Sequence, residues 1–248
     1  MNKIILVTGG ARGLGRHMAL ACAKAGHDVV ITYRNRSDAE ALVKAVEAVG
    51  SRAVALPLDV TETGAFDAFT RDVSSAIARA GHDKLDAIVQ NAGTGIFAPY
   101  AETTETQLDE LYRTHLKAPF LLTQKLLPLI ADGGRIINIS TALARISSPG
   151  WSAYAAMKGA IEVLTRYQAT ELAKRGITVN TIAPGAFETD FLKDALSTDA
   201  GRVRIESRIA MGRLGQPDDI GPLIALLLDD ATRWMTGQRL EVSGGMSL

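Results

Sequence analysis

Short apolar runs alternate along the chain with longer stretches that mix apolar and polar residues. The short runs predict seven strands, at residues 4–8, 28–33, 53–59, 87–91, 135–140, 178–183 and 239–242. The mixed stretches predict six helices, at residues 14–25, 37–49, 62–80, 105–130, 152–175 and 218–228. Continuous apolar strands separated by helices indicate a parallel sheet that is covered on both faces. Right-handed connections then predict a doubly wound α/β sheet, the Rossmann fold.

The sequence shows no internal repeat, low-complexity tract or change of composition that would mark a domain boundary. We therefore expect residues 1–248 to form one Rossmann-fold domain, since this length suits one large α/β unit. Residues 186–215 are the least regular part, with several charges and scattered apolar positions. We expect this segment to be a mobile cover over a substrate.

Composition narrows the classes of partner and location. Basic and acidic residues number 27 each, so the formal net charge is zero and nothing favours a nucleic-acid or membrane-surface partner. The chain has one cysteine, Cys22, so no disulfide framework can form, and we expect a reducing, cytoplasmic location. The apolar start at residues 4–7 is too short for a signal peptide, and no stretch approaches the length of a membrane span.

A glycine-rich turn joins the first predicted strand to the first predicted helix. Gly9, Gly13 and Gly15 have the spacing Gly-x-x-x-Gly-x-Gly, with Arg12 and Leu14 between them. Strand, glycine turn and helix form the context of a dinucleotide-binding loop, because glycines allow the backbone to approach a pyrophosphate. The helix N-terminus supplies N–H groups and a partial positive charge. The alternative is a glycine-rich turn that binds nothing.

A tyrosine and a lysine lie four residues apart in the fifth predicted helix. Tyr154 and Lys158 should share one face of that helix. An ammonium beside a phenol favours the phenolate, so we expect the Tyr154 pKa to fall below its usual value of about 10. Such a tyrosine can exchange a proton with a substrate near neutral pH. The alternative is a pair of surface neighbours without a catalytic role.

Together, these two features resemble the short-chain dehydrogenase/reductase family, in particular its TGxxxGxG and YxxxK branch and its 3-oxoacyl-ACP reductase-like members. Three further motifs support the resemblance in the same order along the chain: Asp59-Val60, Asn91-Ala92-Gly93, and the run from Pro184-Gly185 to Thr189. The resemblance covers nearly the whole chain, from Ile4 to the last residues. It implies an NAD(P)-dependent oxidoreductase with a Rossmann fold.

The resemblance also implies where the cofactor binds. Asp59 would meet the adenine amino group and Val60 the edge of the ring. Asn91 and Gly93 would line the ribose, and Thr189 would hold the nicotinamide carboxamide. The full cofactor set is Gly9, Arg12, Gly13, Leu14, Gly15, Arg34, Asp59, Val60, Asn91, Ala92, Gly93, Tyr154, Lys158, Pro184, Gly185 and Thr189. As alternatives, Asp59 could complete a turn and Thr189 could cap a helix that begins near Asp190.

The end of the second predicted strand favours NADP(H) over NAD(H). An acidic residue here would bind the ribose hydroxyls of NAD, but the strand ends at Arg34 and no carboxylate occurs before Asp38. An arginine suits a 2′-phosphate through its charge and its bidentate geometry. Arg12 is a second basic candidate, since the family has a basic residue there when NADP is preferred, and Arg36 is a third. The alternative is that these arginines are solvated surface charges.

The predicted reaction centre departs from the family in one hydroxyl. The family usually has a serine thirteen residues before the tyrosine, where this chain has Thr141. Ser140 is adjacent, but neighbouring strand residues point to opposite faces, so only one of the two hydroxyls can face the substrate. The spacing favours Thr141, whose hydroxyl can bond a substrate carbonyl while its methyl narrows the pocket. The alternative is a threonine that serves only as a strand former.

A second departure is His115, which stands where the family pattern has an asparagine. That asparagine is thought to kink the helix and to position a water beside the lysine in a proton relay. A backbone carbonyl could still hold that water here. A histidine could also titrate near neutral pH and disturb Lys158, so His115 is included among the candidate catalytic residues. The alternative is a structural histidine.

These observations predict hydride transfer between a nicotinamide and a carbonyl or secondary alcohol, with Tyr154 as general acid or base. The alternatives are a nucleotide-binding sensor or scaffold that has lost efficient catalysis, and a purely structural subunit. The partner is expected to be a small carbonyl or alcohol, with no metal. The candidate substrate-pocket residues are 94–97, 143–145, Trp151, Phe187, Phe191 and Leu192. The resemblance also implies a homo-oligomer, a tetramer or a dimer.

Overall fold

Seven parallel strands form one sheet in the order β3-β2-β1-β4-β5-β6-β7. A computed structural model describes residues 2–248 of the chain. The strands are β1 (Ile4–Val7), β2 (Asp28–Tyr33), β3 (Ala53–Pro57), β4 (Leu85–Gln90), β5 (Ile130–Ile139), β6 (Thr178–Pro184) and β7 (Arg239–Val242). The strand order reverses between β1 and β4, which makes the carboxyl ends of these two strands the switch point of the sheet.

The described residues contain eight α-helices, and most of them cover the two faces of the sheet. They are α1 (Gly13–Lys24), α2 (Arg36–Glu47), α3 (Phe66–Arg79), α4 (Glu105–Tyr112), α5 (Ala118–Leu126), α6 (Ser152–Leu172), α7 (Asp199–Glu206) and α8 (Gly221–Leu227). No helix in residues 2–248 combines the length and the apolar character needed to cross a membrane.

The alternation of side chains along β1 explains why each face of the sheet has its own core. Ile5 and Val7 pack on one face with residues of α1, α2 and α8. Ile4 and Leu6 pack on the other face with residues of α3, α5 and α6. Because β1 is fully buried on both faces, it is continuously apolar, as central parallel strands are. The predicted doubly wound sheet of seven strands with helices on both faces is confirmed.

The prediction of one continuous helix at residues 105–130 is wrong. The α-helix stops after Tyr112, a π-helical turn occupies Arg113–Lys117, and α5 follows. Pro119 has no N–H to give to the carbonyl of His115 four residues earlier, which favours the wider π turn at this point. At the other end, Ile130 already belongs to β5, after a short 3-10 turn that contains Pro128.

The segment after β6 contains a helix that the sequence pattern did not predict. Helix α7 lies inside residues 186–215, and the Thr198 hydroxyl caps it by accepting a hydrogen bond from Gly201 N. Its residues show little separation of apolar and polar faces, and none of its side chains is buried. The predicted strand at residues 53–59 is also shorter, ending at Pro57.

Candidate active site

Four loops come together at the carboxyl edge of the sheet, beside the switch point. They follow β1, β4, β5 and β6, and they carry most of the residues predicted for the cofactor and for the reaction. In open α/β sheets, ligands bind in the crevice at this edge. The fold therefore brings sequence motifs that are up to 180 residues apart into one region.

The glycine turn between β1 and α1 has the close approaches that a dinucleotide loop needs. Gly9 and Gly13 have φ angles of +61° and +53°, in the left-handed region that favours glycine. A Cβ on Gly15 would lie 2.4 Å from both Asn91 Nδ2 and the Gly9 carbonyl oxygen. A larger residue at Gly15 would therefore push the turn away from the end of β4.

The start of α1 keeps its N–H groups free of side-chain caps. Arg12 is the N-cap residue and makes no capping bond, and the first turn contains no acidic side chain. Leu14 packs partly buried against the core and anchors the turn. Uncapped N–H groups with a partial positive charge form an anion site, so these residues fit the pyrophosphate of a dinucleotide.

Thr8 and Asn91 tie the end of β1 to the end of β4. Asn91 Nδ2 donates to the carbonyl oxygens of Thr8, at 2.9 Å, and Gly9, at 3.2 Å. The Thr8 hydroxyl accepts from the backbone N–H groups of Asn91 and Ala92, both at 3.0 Å. From the sequence, Asn91 is expected to line the ribose, and Thr8 has no predicted role. In the structure both side chains fix the glycine turn, and this pairing had no local signal in the sequence.

Asp59 completes a turn after β3. Its Oδ1 accepts from Thr61 N at 2.9 Å and from the Thr61 hydroxyl at 2.8 Å. The Thr61 N–H lowers the Asp59 pKa most, and the positive charge of Arg34 also lowers it. Asp59 therefore completes a turn, as the alternative interpretation expected. Its contact with the adenine amino group stays a prediction. Val60 lies partly buried against the core beside it.

The end of β2 carries exposed positive charge. Arg34 is exposed, and the Arg36 guanidinium lies 3.8 Å from the Glu40 carboxylate. Asp38 sits in the first turn of α2, where it stabilises the helix N-terminus. Of the arginines at this edge, Arg34 and Arg12 make no salt bridge within residues 2–248.

The end of β6 and the loop after it place Pro184, Gly185 and Thr189 at the same edge. Gly185 N donates to Val242 O at 2.8 Å, and a Cβ on Gly185 would lie 2.7 Å from Ser243 Cα. Thr189 precedes the 3-10 turn Asp190–Leu192, and its side chain makes no capping bond. The alternative that Thr189 caps this turn is therefore wrong, because the Thr189 side chain makes no capping hydrogen bond.

The hydroxyls of Ser140 and Thr141 point in different directions, as the strand geometry predicts. The Ser140 hydroxyl bonds the Glu162 carboxylate at 2.7 Å and the Lys158 carbonyl at 3.1 Å, both on α6. The Thr141 hydroxyl is a hydrogen-bond partner of Tyr154 and accepts from Leu143 N at 3.3 Å. Of the two hydroxyls, that of Thr141 faces the tyrosine.

Tyr154 and Lys158 are both buried on α6, with relative exposures of 7% and 5%. Lys158 Nζ donates to the Ile139 carbonyl at 2.7 Å and lies 5.8 Å from the centre of the Tyr154 ring. Burial lowers the Lys158 pKa to about 7. Burial also raises the Tyr154 pKa above its usual value, and the hydrogen bond with Thr141 opposes this only in part. The expectation of a lowered Tyr154 pKa is therefore wrong, because desolvation by burial outweighs the hydrogen bond with Thr141.

His115 lies in the π turn, buried against Tyr154. Its ring meets the Tyr154 ring edge-on, with centres 5.3 Å apart. Nε2 lies 2.7 Å from the Thr94 carbonyl oxygen, which can only accept, so Nε2 carries the proton. Nδ1 is then an acceptor, and it is buried without a partner in residues 2–248.

The His115 pKa lies well below its usual value. Burial is the main cause, and the positive charge of Lys158 adds to it, while the bond to Thr94 acts in the opposite direction. The expectation that His115 titrates near neutral pH is therefore wrong. The ring is neutral under the conditions in which the protein would work.

A small cavity of about 10 Å³ lies between the π turn and Lys158, which is room for about one water molecule. Its lining residues are Val60, Gln90, Ala92, Thr114, His115, Ala118, Pro119, Ile139, Lys158 and Ile161. Gly93 lies beside it, since a Cβ there would meet His115 Cε1 at 2.8 Å. The cavity leaves space near the lysine for a water that a backbone carbonyl could hold.

Aromatic residues dominate the expected substrate side of Tyr154. Trp151 and Phe191 contact the Tyr154 ring, and Phe97 contacts Trp151. Two other candidate pocket residues make contacts elsewhere. Phe187 is buried in the core, and Arg145 is bound by the Glu241 carboxylate through two hydrogen bonds of 2.6 and 2.8 Å. No group of three or more potential metal ligands occurs within residues 2–248.

Comparisons with known proteins agree with this arrangement. A family model described as Enoyl-(Acyl carrier protein) reductase matches residues 9–247. The 3-oxoacyl-(acyl-carrier-protein) reductase FabG of Staphylococcus aureus is 36% identical over 249 residues, which cover 99% of this chain and 98% of that protein.

Two solved structures are similar over the same length. The promiscuous reductase LugOII, which catalyses keto-reduction at C1 during lugdunomycin biosynthesis, is 35% identical with a TM-score of 0.93, covering 99% of this chain and 98% of that one. A metagenomic blue fluorescent protein in complex with NADPH is 33% identical with a TM-score of 0.89 and the same coverage. The match of fold, motifs and length shows that this chain belongs to the short-chain dehydrogenase/reductase family of NAD(P)-dependent oxidoreductases.

Proposed function

We propose that the protein reduces ketones with NADPH, and oxidises secondary alcohols in the reverse direction, with Tyr154 as the proton donor. The observation that carries the proposal is that the Thr141 hydroxyl faces Tyr154 at the carboxyl edge of the sheet, beside the glycine turn. Two hydroxyls that converge can both donate hydrogen bonds to one carbonyl oxygen. This arrangement suits a reaction in which negative charge develops on that oxygen.

The raised pKa of Tyr154 determines the protonation state of its hydroxyl in the reaction. Tyr154 is a protonated phenol at neutral pH, and it can donate its proton to a developing alkoxide, which is the stronger base. The Thr141 hydroxyl stabilises the same oxygen. A bound nicotinamide cofactor supplies the hydride. Alcohol oxidation needs the phenolate, so that direction is favoured as the pH rises.

Lys158 acts as a positioning residue in this proposal. Its amine is held at the end of β5 by the Ile139 carbonyl, close to Tyr154 and to the one-water cavity. By resemblance to the family, it would also bind the nicotinamide ribose. His115 stays neutral and donates to Thr94, so it supports the loop after β4 rather than moving protons.

The charge at the end of β2 supports NADP(H) over NAD(H). Arg34 is exposed beside Asp59, and the first carboxylate after β2 stabilises the start of α2. A guanidinium recognises a 2′-phosphate through charge and bidentate hydrogen bonds. Arg12, at the N-cap of α1, is a second basic residue on this side of the turn. The NADPH complex of the similar metagenomic protein is consistent with this preference.

Reduction of a carbon–carbon double bond is the second candidate reaction, since the matching family model is described by an enoyl reductase. Carbonyl reduction is favoured because the Thr141 and Tyr154 hydroxyls converge, which suits an oxygen acceptor. The named activities of the S. aureus and LugOII relatives are also reductions of ketone groups.

The test is Tyr154→Phe, measured with NADPH and a panel of ketones and enoyl thioesters. Loss of the proton donor should lower kcat for ketones by about 10²- to 10⁴-fold. The matched control is Tyr167→Phe, because Tyr167 lies on the same helix and is 65% exposed. NADPH binding, followed by its fluorescence, should be retained in both variants. Unchanged ketone turnover in Tyr154→Phe would refute the proposal, and binding without any turnover in the wild type would favour the sensor alternative.

Self-association is the proposed assembly. Apolar side chains are exposed along α4, α5 and α6, at Leu108, Tyr112, Phe120, Val163 and Tyr167. Such a patch on a soluble fold marks an interaction surface. We expect size-exclusion chromatography with light scattering to give a dimer or a tetramer, and Tyr167→Glu to shift it toward the monomer.

A further inference from the structure

Three aromatic rings, Phe97, Trp151 and Phe191, form an aromatic cover over Tyr154. Trp151 and Phe191 contact the Tyr154 ring, with centres 5.6 and 5.8 Å apart. Phe97 meets Trp151 edge-on at 5.8 Å. Under this cover Tyr154 is only 7% exposed. The Tyr154 ring is therefore accessible from this side only if one of the covering rings moves.

Of the two rings that contact Tyr154 in this cover, Phe191 is the less constrained. It lies on the short turn Asp190–Leu192 and is 47% exposed. Trp151, by contrast, is the N-cap residue of α6, and its carbonyl accepts from Ala155 N at 2.8 Å. A half-exposed ring on a turn costs less to displace than a residue that begins a 21-residue helix.

The space that Phe191 fills has the shape of a flat ring. Its ring stacks on the Trp151 ring, with centres 5.6 Å apart and planes at 25°. The backbone at Gly95 borders the same space, since a Cβ there would lie 2.5 Å from two Phe191 ring atoms and 3.2 Å from Trp151 Cζ3. Displacement of Phe191 thus leaves a slot between an indole face and a glycine backbone, and an aromatic ring fits it best.

The rings that border this slot are also uncharged. The rings around Tyr154 are those of the aromatic cover and of His115, whose lowered pKa keeps it neutral. Arg145, the basic residue predicted for this pocket, is bound by Glu241 and by the carbonyls of Met246 and Ser247. An anionic group on the substrate would find no partner among these side chains.

We propose that the substrate is an uncharged aryl ketone whose ring takes the place of Phe191 on Trp151. Trp151 and Phe191 then determine the substrate class, while Tyr154 and Thr141 bind the carbonyl oxygen. This inference rests on the proposed carbonyl reduction and adds the chemical class of the ketone.

The kinetic test compares acetophenone with cyclohexyl methyl ketone, which differ only in the ring beside the carbonyl. We measure kcat/KM for both with NADPH and take their ratio, aryl over saturated. Trp151→Ala should lower this ratio by about three- to tenfold, the effect of one stacked aromatic pair. Because the ratio of the variant is compared with the ratio of the wild type, the difference in intrinsic reactivity between the two ketones cancels. The control is Trp234→Ala, because Trp234 is 95% exposed, and its ratio should equal that of the wild type.

A binding test needs no turnover. The chain has two tryptophans, so Trp234→Phe leaves Trp151 as the only indole. In that background acetophenone should quench the fluorescence with saturation, and adding Phe191→Ala should lower the half-saturating concentration by about three- to tenfold, because the competing ring is gone. Phe191 is half exposed, so this variant leaves the core intact. Quenching that is linear in acetophenone, or insensitive to Phe191→Ala, overturns the inference.

The outcomes separate this inference from the proposed function. If neither ketone, nor any in the wider panel, is reduced in a Tyr154-dependent way, the proposed function fails. If both ketones are reduced and Trp151→Ala leaves the ratio unchanged, the aryl specificity alone fails. A fall of the ratio together with saturable quenching supports both.

Discussion

Lys158 donates a 2.7 Å hydrogen bond from its buried amine to the carbonyl of Ile139, the last residue of β5. This bond links α6 to the strand that also carries Thr141 just beyond its end. It fixes the amine near the Tyr154 ring without a direct ion pair. Because a buried ammonium is poorly solvated, the bond accompanies a pKa of about 7 rather than the usual lysine value.

The buried Lys158 should make stability depend on pH in a defined window. Its pKa is about 7 in the folded chain and 10.5 for a free side chain, so between these values the unfolded chain binds the extra proton. Stability from this group therefore rises with pH across the window, by about 1.4 kcal/mol per pH unit, and is flat below pH 7. In Lys158→Met this increase of stability with pH should be absent.

The measurement is urea unfolding of the wild type and Lys158→Met at several pH values from neutral to alkaline. The difference in the free energy of unfolding, wild type minus variant, should grow with pH. Lys174→Met is the control, since Lys174 is exposed on the turn after α6. A difference that stays constant with pH would show that Lys158 keeps a normal pKa.

Thr141→Val tests whether catalysis needs the Thr141 hydroxyl, or whether Thr141 serves only as a β-branched residue that favours a strand. Valine keeps the branched shape and removes the group that bonds Tyr154. We expect kcat for ketone reduction to fall by about 10²- to 10³-fold, as for the loss of one donor to a developing oxyanion. Thr141→Ser should retain most of the activity.

Ser140→Ala is the matched control for that prediction. The Ser140 hydroxyl bonds α6 at Glu162 and Lys158, so its removal should cost about 1 kcal/mol of stability. Turnover should change little, because this hydroxyl faces away from Tyr154. Equal losses of kcat in the two variants would contradict the assignment of Thr141.

The sheet could be predicted from the sequence because its strands are buried on both faces and are therefore continuously apolar. Ile4–Val7 is such a case, with all four residues fully buried. The site motifs were also visible, since a glycine turn and a Tyr-x-x-x-Lys pair depend on local spacing. The interruption of the helix at His115 left a usable signal as well, in Pro119 four residues later.

Features that depend on distant residues were not predictable. Whether Tyr154 gains or loses acidity depends on its burial, to which the rings of His115 and Phe191 contribute from other parts of the chain. Arg145 is bound by Glu241, 96 residues away, so its absence from the pocket could not be inferred from its neighbours. Helix α7 has no buried face, and without apolar periodicity only the Thr198 cap marked its start.

Arg34→Asp tests the cofactor preference. Removal of the guanidinium and introduction of a carboxylate should lower the ratio of kcat/KM for NADPH over NADH by about 10- to 100-fold, the effect of losing hydrogen bonds to a charged group. Arg36→Asp is the control, because the Arg36 guanidinium lies beside Glu40 and Tyr33. The steady-state rates with both cofactors are measured for each variant. If both substitutions change the ratio equally, Arg34 has no special role.

His115→Phe tests whether the histidine moves protons or only supports the site. Phenylalanine keeps an edge-on ring beside Tyr154 and removes both the bond from Nε2 to Thr94 and the unpartnered Nδ1. Loss of the bond costs about 1 kcal/mol, and removal of the buried unpaired acceptor offsets part of it, so stability should change by less than about 1 kcal/mol. Because the His115 pKa lies well below its usual value, the ring is neutral in the wild type throughout the near-neutral range.

The pH profile of kcat then distinguishes the two roles. For a supporting residue, His115→Phe should lower kcat at all pH values by one factor and leave the shape of the profile between pH 5 and pH 8 unchanged, about the range in which an ordinary histidine titrates. His115→Asn, with the residue that the family has at this position, should keep a profile of the same shape. A limb of the wild-type profile that disappears in both variants would show instead that His115 exchanges a proton during turnover, and the supporting role would have to be abandoned.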